Sequence, residues 1–152
     1  MEVRVATKSD IPAIVEFRKK LLCEVAGTIP ENLPDRMAGY LENHLPDGSC
    51  LCVILEEEGR AVASAMLCIY DVMPDEVNTS GKVSTLFNVY TLPEYRGAGL
   101  MQGLLHTLFE LAKRAGVEEV YASAEEKAIP LYRRMGFLMK EREMHLFLHP
   151  LK

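Results

Sequence analysis

The most informative stretch of the sequence is residues 92–105, which read LPEYRGAGLMQGLL. It follows residues 83–91, whose β-branched and aromatic side chains predict a strand, and it opens a helix predicted to reach about Ala115. Gly97 and Gly99 allow the backbone unusual angles and a close approach to a ligand. Because a helix start exposes N–H groups and carries partial positive charge, the stretch is typical of an anion site.

The charges around this stretch support an anion site. No acidic residue occurs between Tyr95 and Phe109, although first helical turns usually carry acids, and Arg96 adds a positive charge. Lys113 and Arg114 lie at the other end of the predicted helix, where cations are expected. A plain glycine loop without a ligand would show the same short motif, so the stretch alone leaves both interpretations open.

Length and composition limit the class of protein. The 152 residues suit a single domain, 1–152, and 49% hydrophobic with 26% charged residues is typical of a globular chain. The net charge of -5 and the lack of a long basic run argue against a nucleic-acid partner. No apolar run approaches the roughly 20 residues of a membrane span, and the first residues show no signal-peptide pattern. We therefore expect a cytoplasmic protein with no membrane partner.

The four cysteines do not suggest a metal site. Cys23, Cys50, Cys52 and Cys68 form no CxxC pair and have no Cys/His ligand spacing. Cys50 and Cys52 are two apart in a strand-like run, so they point the same way. We expect all four to be small buried hydrophobic residues and predict no bound metal.

The order of predicted elements is mixed. The helices are predicted at about 9–25, 34–45, 100–115 and 127–135. The strands are predicted at 3–6, 50–56, 61–70, 83–91, 117–123, 137–140 and 144–148. An antiparallel first half and one strand–helix–strand unit in the second half indicate an α/β or equally an α+β fold around a single sheet.

A second stretch, residues 128–137 (AIPLYRRMGF), strengthens the interpretation of the first. Alone, it is typical of an amphipathic helix with a glycine C-cap and with Tyr132 half-buried in the core. Together the two stretches resemble the GNAT superfamily of N-acetyltransferases. The turn at 96–100 after Pro93 is similar to that family's coenzyme A pyrophosphate loop. Leu131-Tyr132 followed by Gly136-Phe137 is similar to its later motif, and the resemblance covers 83–137.

The resemblance implies a fold and a cofactor site. It implies a mixed, mostly antiparallel seven-stranded sheet with helices on both faces. The sheet would be splayed between strands four and five, here 83–91 and 117–123, with acetyl-CoA in the cleft. The pantetheine arm would bond to the strand backbone, and the pyrophosphate would lie on the loop amides. The residues so assigned to acetyl-CoA are Val89, Tyr90, Thr91, Arg96, Gly97, Ala98, Gly99, Leu100, Met101 and Gln102.

The resemblance also implies an activity. It implies acetyl-CoA-dependent transfer of an acetyl group to a primary amine by direct attack, with Tyr132 protonating the leaving thiolate. A phenol with a pKa near 10 can donate to a thiolate with a pKa near 8.5 without being ionised at neutral pH. The acceptor is a small-molecule amine or a protein amine. The oligomeric state is left open between a monomer and a homodimer, although dimers are frequent in families of this kind.

Some parts of the site are left open. Met101 stands where the loop motif usually ends in a small residue, and Glu125 stands where the family often has an asparagine. No general base is assigned; the candidates are Glu24, Glu125, Glu126 and a water chain. The acceptor pocket is expected from the first two helices and from the loop 73–81. Arg18 and Glu24 on the first helix are candidates for its lining, although a solvated helix face explains these charges more readily.

Two other functions compete with catalysis. One is a module of the same fold that binds acyl-CoA without chemistry, as a sensor or interaction domain. The other, a nucleotide-binding domain, has less support, because no Lys-Ser or Lys-Thr follows the loop and no third glycine has dinucleotide-motif spacing.

Overall fold

The fold was obtained as a computed structural model that describes residues 1–150. Its strands are β1 (Glu2–Val5), β2 (Cys50–Glu57), β3 (Arg60–Asp71), β4 (Lys82–Thr91) and β5 (Glu119–Tyr121). Its helices are α1 (Ile11–Ala26), α2 (Leu33–His44), α3 (Leu100–Arg114) and α4 (Ile129–Arg134). Between residues 1 and 150, no helix is long and apolar enough to cross a membrane.

The five strands form one sheet in the order β1-β2-β3-β4-β5. The first four are antiparallel, and β4 and β5 are parallel. The turn between β2 and β3 is tight because Glu58 and Gly59 both adopt positive φ. The parallel pair requires a crossover, which α3 supplies.

The two faces of the sheet are covered by different helices. Alternate residues of β2, such as Cys52 and Ile54, pack with Ile14 and Leu41 of α1 and α2. The intervening residues, such as Val53, pack with the α3 leucines and with Tyr132 of α4 on the other face. This two-residue alternation in a strand buried on both sides follows from the pleat, and it confirms the prediction of helices on both faces.

The pairing of β4 with β5 is short. The two strands share three registered pairs, which end at Thr85 and Tyr121, whereas β4 continues to Thr91. Within residues 1–150, residues 86–91 therefore have no neighbour on the β5 side, and the sheet opens between these two strands, as the resemblance implies. The observed β5 is also shorter than the predicted strand 117–123.

A β-bulge lies in the same half of β4. The register with β3 changes from Ser64–Tyr90 to Met66–Phe87, so β4 contributes one extra residue. Asn88 adopts a φ of 54°, an unusual backbone state for a residue other than glycine. Its side-chain amide donates to the Ile14 carbonyl oxygen at 3.3 Å, and its own Oδ1 is buried without a hydrogen-bond partner among residues 1–150. Strained and unsatisfied groups of this kind cluster at functional sites.

The prediction of seven strands is wrong for the described chain. Residues 137–140 and 144–148 form no strand. Their side chains lie in solvent: Leu138, Met144 and Leu148 are at least 90% exposed. A strand needs a paired backbone, and residues 137–150 do not pair with the open edge of β5.

The cysteines also differ from expectation. Cys50 and Cys52 are buried together, as predicted. Cys23 is exposed near the end of α1, and Cys68 is only partly buried. Cys68 borders a cavity described below.

Candidate active site

The glycine loop presents an open surface of backbone. Gly97 has a φ of 82° and Gly99 a φ of 73°, and a Cβ placed on either would meet nothing within 4 Å. Gly99 is the N-cap of α3, no side chain caps the helix, and its first turn contains no acid. The first amides of α3 are therefore free to bind an anion, which the helix dipole favours.

The Arg96 side chain is held at the side of this loop by a hydrogen bond and an ion pair. Its Nε donates to the Thr91 carbonyl oxygen at 2.8 Å, and one terminal nitrogen pairs with Glu24 Oε1 at 2.9 Å. The guanidinium lies over the Tyr90 ring, 5.2 Å from its centroid. The hydrogen bond from Arg96 lowers the pKa of Glu24, so this carboxylate is ionised at neutral pH. Glu24 is thus held at the loop and does not line the cavity that follows.

The three β4 residues assigned by resemblance lie along the unpaired half of the strand. Tyr90 is buried against Phe17, with ring centroids 5.3 Å apart, and its hydroxyl donates to Glu24 at 3.4 Å. Val89 and Thr91 are half-buried. Thr91 ends β4, and the loop with Gly97 begins a few residues later. The structure therefore places the predicted strand and loop residues along one continuous path.

Tyr132 lies on α4, with only 8% of its surface exposed. Its ring packs 5.3 Å from that of Phe137, in the buried cluster that includes Leu104 and Tyr90. Burial raises the pKa of its phenol, so the group is protonated at neutral pH. Within residues 1–150 the hydroxyl has no hydrogen-bond partner, and its oxygen is not fully buried. It is therefore a protonated hydrogen-bond donor at neutral pH.

A cavity of about 280 Å³ lies on the opposite face of the sheet, between α1, α2 and the strands β3 and β4. Arg18, Arg36, Tyr40, Cys68 and Phe87 are among its lining residues. Two of the three segments expected to form the acceptor pocket are therefore present. The loop 73–81 is not: it lies at the far end of β4, where Ser80 bonds to Glu118.

A sequence model described as the acetyltransferase (GNAT) family matches residues 18–137. The chain belongs to the GNAT acetyltransferase family. A curated relative, glucosamine 6-phosphate N-acetyltransferase of Trypanosoma brucei brucei, is 31% identical over 96% of this chain and 95% of its own. These two findings identify the chain as an N-acetyltransferase.

Solved structures agree with this family. A predicted acetyltransferase from Clostridium acetobutylicum, solved with acetyl-CoA, has a TM-score of 0.89 and 28% identity, over 97% of this chain and 96% of its own. An acetyltransferase from Trypanosoma brucei has a TM-score of 0.70 and 29% identity, over 97% and 99% of the two chains. A GCN5-related N-acetyltransferase from Ralstonia eutropha, with a TM-score of 0.84 and 24% identity, covers 97% of each chain and shows the same fold.

Sequence reasoning missed several features of this acetyltransferase site. The ion pair between Arg96 and Glu24 joins residues that are 72 positions apart, so no local sequence pattern predicts it. One feature of the sequence could have indicated the bulge at Asn88: this polar amide interrupts the apolar residues 86–90 of the predicted strand. Glu125 and Glu126, two of the candidate bases, are exposed on the surface.

Proposed function

We propose that this acetyltransferase transfers the acetyl group of acetyl-CoA to the primary amine of a small molecule by direct attack. In this proposal the acetyl-CoA arm lies along Val89, Tyr90 and Thr91. Its pyrophosphate lies on the amides from Gly97 to Gln102, beside Arg96, and Tyr132 protonates the leaving sulfur.

One observation carries the proposal: the unpaired half of β4 leads directly into the uncapped N-terminus of α3. A strand edge without a neighbour binds an extended chain through backbone hydrogen bonds, as an added strand does. A helix start behind two positive-φ glycines binds a phosphate group. The solved relative from Clostridium acetobutylicum, which contains acetyl-CoA, supports this choice of cofactor.

The loop with Gly97 and Gly99 has room for the diphosphate of acetyl-CoA. The Cβ position of Gly97 and of Gly99 is open, so the loop leaves room for a diphosphate against the backbone. Met101 is half-buried and its neighbour Gln102 is exposed, so the methionine at this position does not seal the amides. When bound there, acetyl-CoA supplies an activated thioester acetyl group.

In this proposal the residues of the chain position the thioester and transfer the protons of the reaction. A backbone N–H of the bulged β4 segment polarises the thioester carbonyl oxygen. The amine nitrogen forms a bond to the carbonyl carbon as the carbon–sulfur bond breaks, and Tyr132 gives its phenolic proton to the sulfur. Two protons leave the ammonium nitrogen of the acceptor. One passes to solvent, and the other restores the phenol.

The acceptor is proposed to be a small molecule because the cavity beside β4, of about 280 Å³, suits one small ligand. The trypanosomal relative is named for glucosamine 6-phosphate, so this amine is a first compound to test.

A thiol-release assay tests the proposed function. The chain is expected to gain thermal stability with acetyl-CoA and to release free coenzyme A only when a suitable amine is added. A panel of amino sugars, amino acids, polyamines and lysine peptides covers the acceptor classes. Stabilisation by acetyl-CoA without thiol release from any amine would favour a binding module over an enzyme. No stabilisation would overturn the cofactor assignment.

We also infer that two copies of the chain associate through the segment 138–150. The large apolar side chains of this segment are exposed, and β5 presents an open edge. An exposed apolar segment of this length in one protein is typical of an interface, and a free strand edge accepts another strand. A second copy, which offers the same edge and the same segment, suits a two-fold arrangement.

The oligomer is checked by light scattering coupled to size-exclusion chromatography. The wild-type chain is expected to elute as a dimer. The double variant Leu146→Glu/Leu148→Glu is expected to elute as a monomer, because two charges replace exposed apolar contacts. Val77→Glu, at another exposed apolar residue, is the matched control and should stay dimeric. A monomeric wild-type chain would contradict the inference.

A further inference from the structure

The cavity between α1 and α2 has an unbalanced charge. Arg18 and Arg36 line it, and no carboxylate does. Arg18 is half-buried, and burial lowers the pKa of its guanidinium. No ion pair with Arg18 forms among residues 1–150. A half-buried cation that no carboxylate of residues 1–150 pairs with favours a bound anion at this point.

The rest of the cavity wall is apolar. Leu33 and Met37 come from α2, Met66 from β3 and Phe87 from β4. The polar groups other than the two arginines are the hydroxyl of Tyr40 and the thiol of Cys68, on one side of the cavity. A polyhydroxylated ligand would leave most of its hydroxyl groups without partners here, which is unfavourable.

One end of the cavity meets the β4 bulge. Arg18 lies over the Phe87 ring, 5.5 Å from its centroid, and Phe87 directly precedes Asn88. Ile14, another lining residue, accepts the amide hydrogen bond of Asn88. The cation of the cavity is therefore close to the strand segment along which the thioester is proposed to lie.

We propose that the cavity binds the acceptor as an apolar α-amino acid, with its carboxylate on Arg18, its side chain between α1 and α2, and its amine toward the bulge. This assignment rests on the proposed function. In an α-amino acid the carboxylate and the amine share one carbon, which matches a cation beside the reaction point. The volume of about 280 Å³ suits one small ligand.

The first experiment compares acceptors in the thiol-release assay. Leucine, methionine and phenylalanine should give kcat/KM values about 10- to 100-fold above isoamylamine, which has leucine's side chain without the carboxylate. Glucosamine 6-phosphate should be poorer than leucine. Equal or better use of isoamylamine or glucosamine 6-phosphate would overturn the amino-acid assignment while leaving the proposed function intact.

The second experiment changes the cation. Arg18→Gln should raise KM for leucine about 10- to 100-fold and lower kcat/KM for isoamylamine by a much smaller factor. Lys20→Gln, which removes an exposed cation from the same helix, is the matched control and should change neither value. An equal loss for both amines in Arg18→Gln would indicate a structural role for Arg18 and would overturn the carboxylate contact.

A third experiment detects binding without turnover. Cys68 faces the cavity, and the Cys50 thiol, the Tyr40 hydroxyl and Arg18 hold the pKa of Cys68 below its usual value. Its sulfur should therefore react with iodoacetamide, and leucine should slow this alkylation at least several-fold. Isoamylamine should not, and exposed Cys23 serves as the internal reference.

These experiments distinguish a failure of the amino-acid assignment from a failure of the proposed acetyl transfer. If leucine protects Cys68 but no amine releases thiol, the binding assignment holds and the proposed transfer is wrong. If another amine releases thiol while leucine neither reacts nor protects Cys68, the transfer holds and the amino-acid assignment is wrong.

Discussion

Tyr132→Phe is expected to lower kcat about 10²- to 10⁴-fold, the usual contribution of a positioned proton donor. The dissociation constant for acetyl-CoA should change little. The ring would keep its packing against Phe137, 5.3 Å away, and only the hydroxyl would be lost. That hydroxyl has no partner among residues 1–150, so its removal breaks no bond within the described protein. Steady-state kinetics and calorimetric titration with acetyl-CoA measure the two quantities.

The pH profile gives a second readout of Tyr132. Burial raises the pKa of its phenol above the usual value near 10. The protonated form is the active one, so wild-type kcat should fall only as the pH rises above about 10. The Phe variant should lack this fall.

Tyr70→Phe is the matched control, since the Tyr70 hydroxyl bonds to Thr85 and takes no part in the proposed chemistry. It should retain wild-type kcat. Unchanged turnover in Tyr132→Phe would remove this tyrosine from the mechanism and restore its interpretation as a core residue.

The helices and the glycine loop could be predicted because their causes are local. The helix predicted at 9–25 is α1, and the one predicted at 34–45 is α2, each with apolar residues at helical spacing. The loop at Gly97 and Gly99 is visible in the sequence because backbone positions with positive φ favour glycine. Such features depend on a few neighbouring residues, so the sequence displays them directly.

The cavity between α1 and α2 could be predicted only in part, as a pocket on the first two helices, because its walls come from four elements far apart in sequence. Arg18, Tyr40, Cys68 and Phe87 belong to α1, α2, β3 and β4, and only the tertiary arrangement brings them together. The bulge at Asn88 adds to this, since it changes which β4 side chains face the cavity. Residues 144–148 are predicted as a strand, but within residues 1–150 they do not pair with the sheet, and such long-range pairing is not visible in a local pattern.

Gly99→Val is expected to raise KM for acetyl-CoA about 10- to 100-fold, which corresponds to the loss of one charge-assisted backbone hydrogen bond. Gly99 has a φ of 73°, and a β-branched residue rarely adopts such an angle. The backbone would therefore rotate, and the first amides of α3 would turn away from the diphosphate. The new side chain would also occupy the open space above the loop. Because Tyr132 and β4 are untouched, kcat at saturating acetyl-CoA should fall much less than kcat/KM.

Gly103→Ala separates this effect from a general change in α3. Gly103 lies inside the same helix, has no positive φ, and its Cβ position is equally open. Alanine there should leave KM unchanged and stabilise the fold by about 0.5–1 kcal/mol, since glycine is a poor helix residue. Thermal unfolding of both variants shows whether the helix has been preserved. If Gly99→Val binds acetyl-CoA as tightly as wild type while remaining folded, the loop amides do not hold the diphosphate. The cofactor must then enter elsewhere along β4.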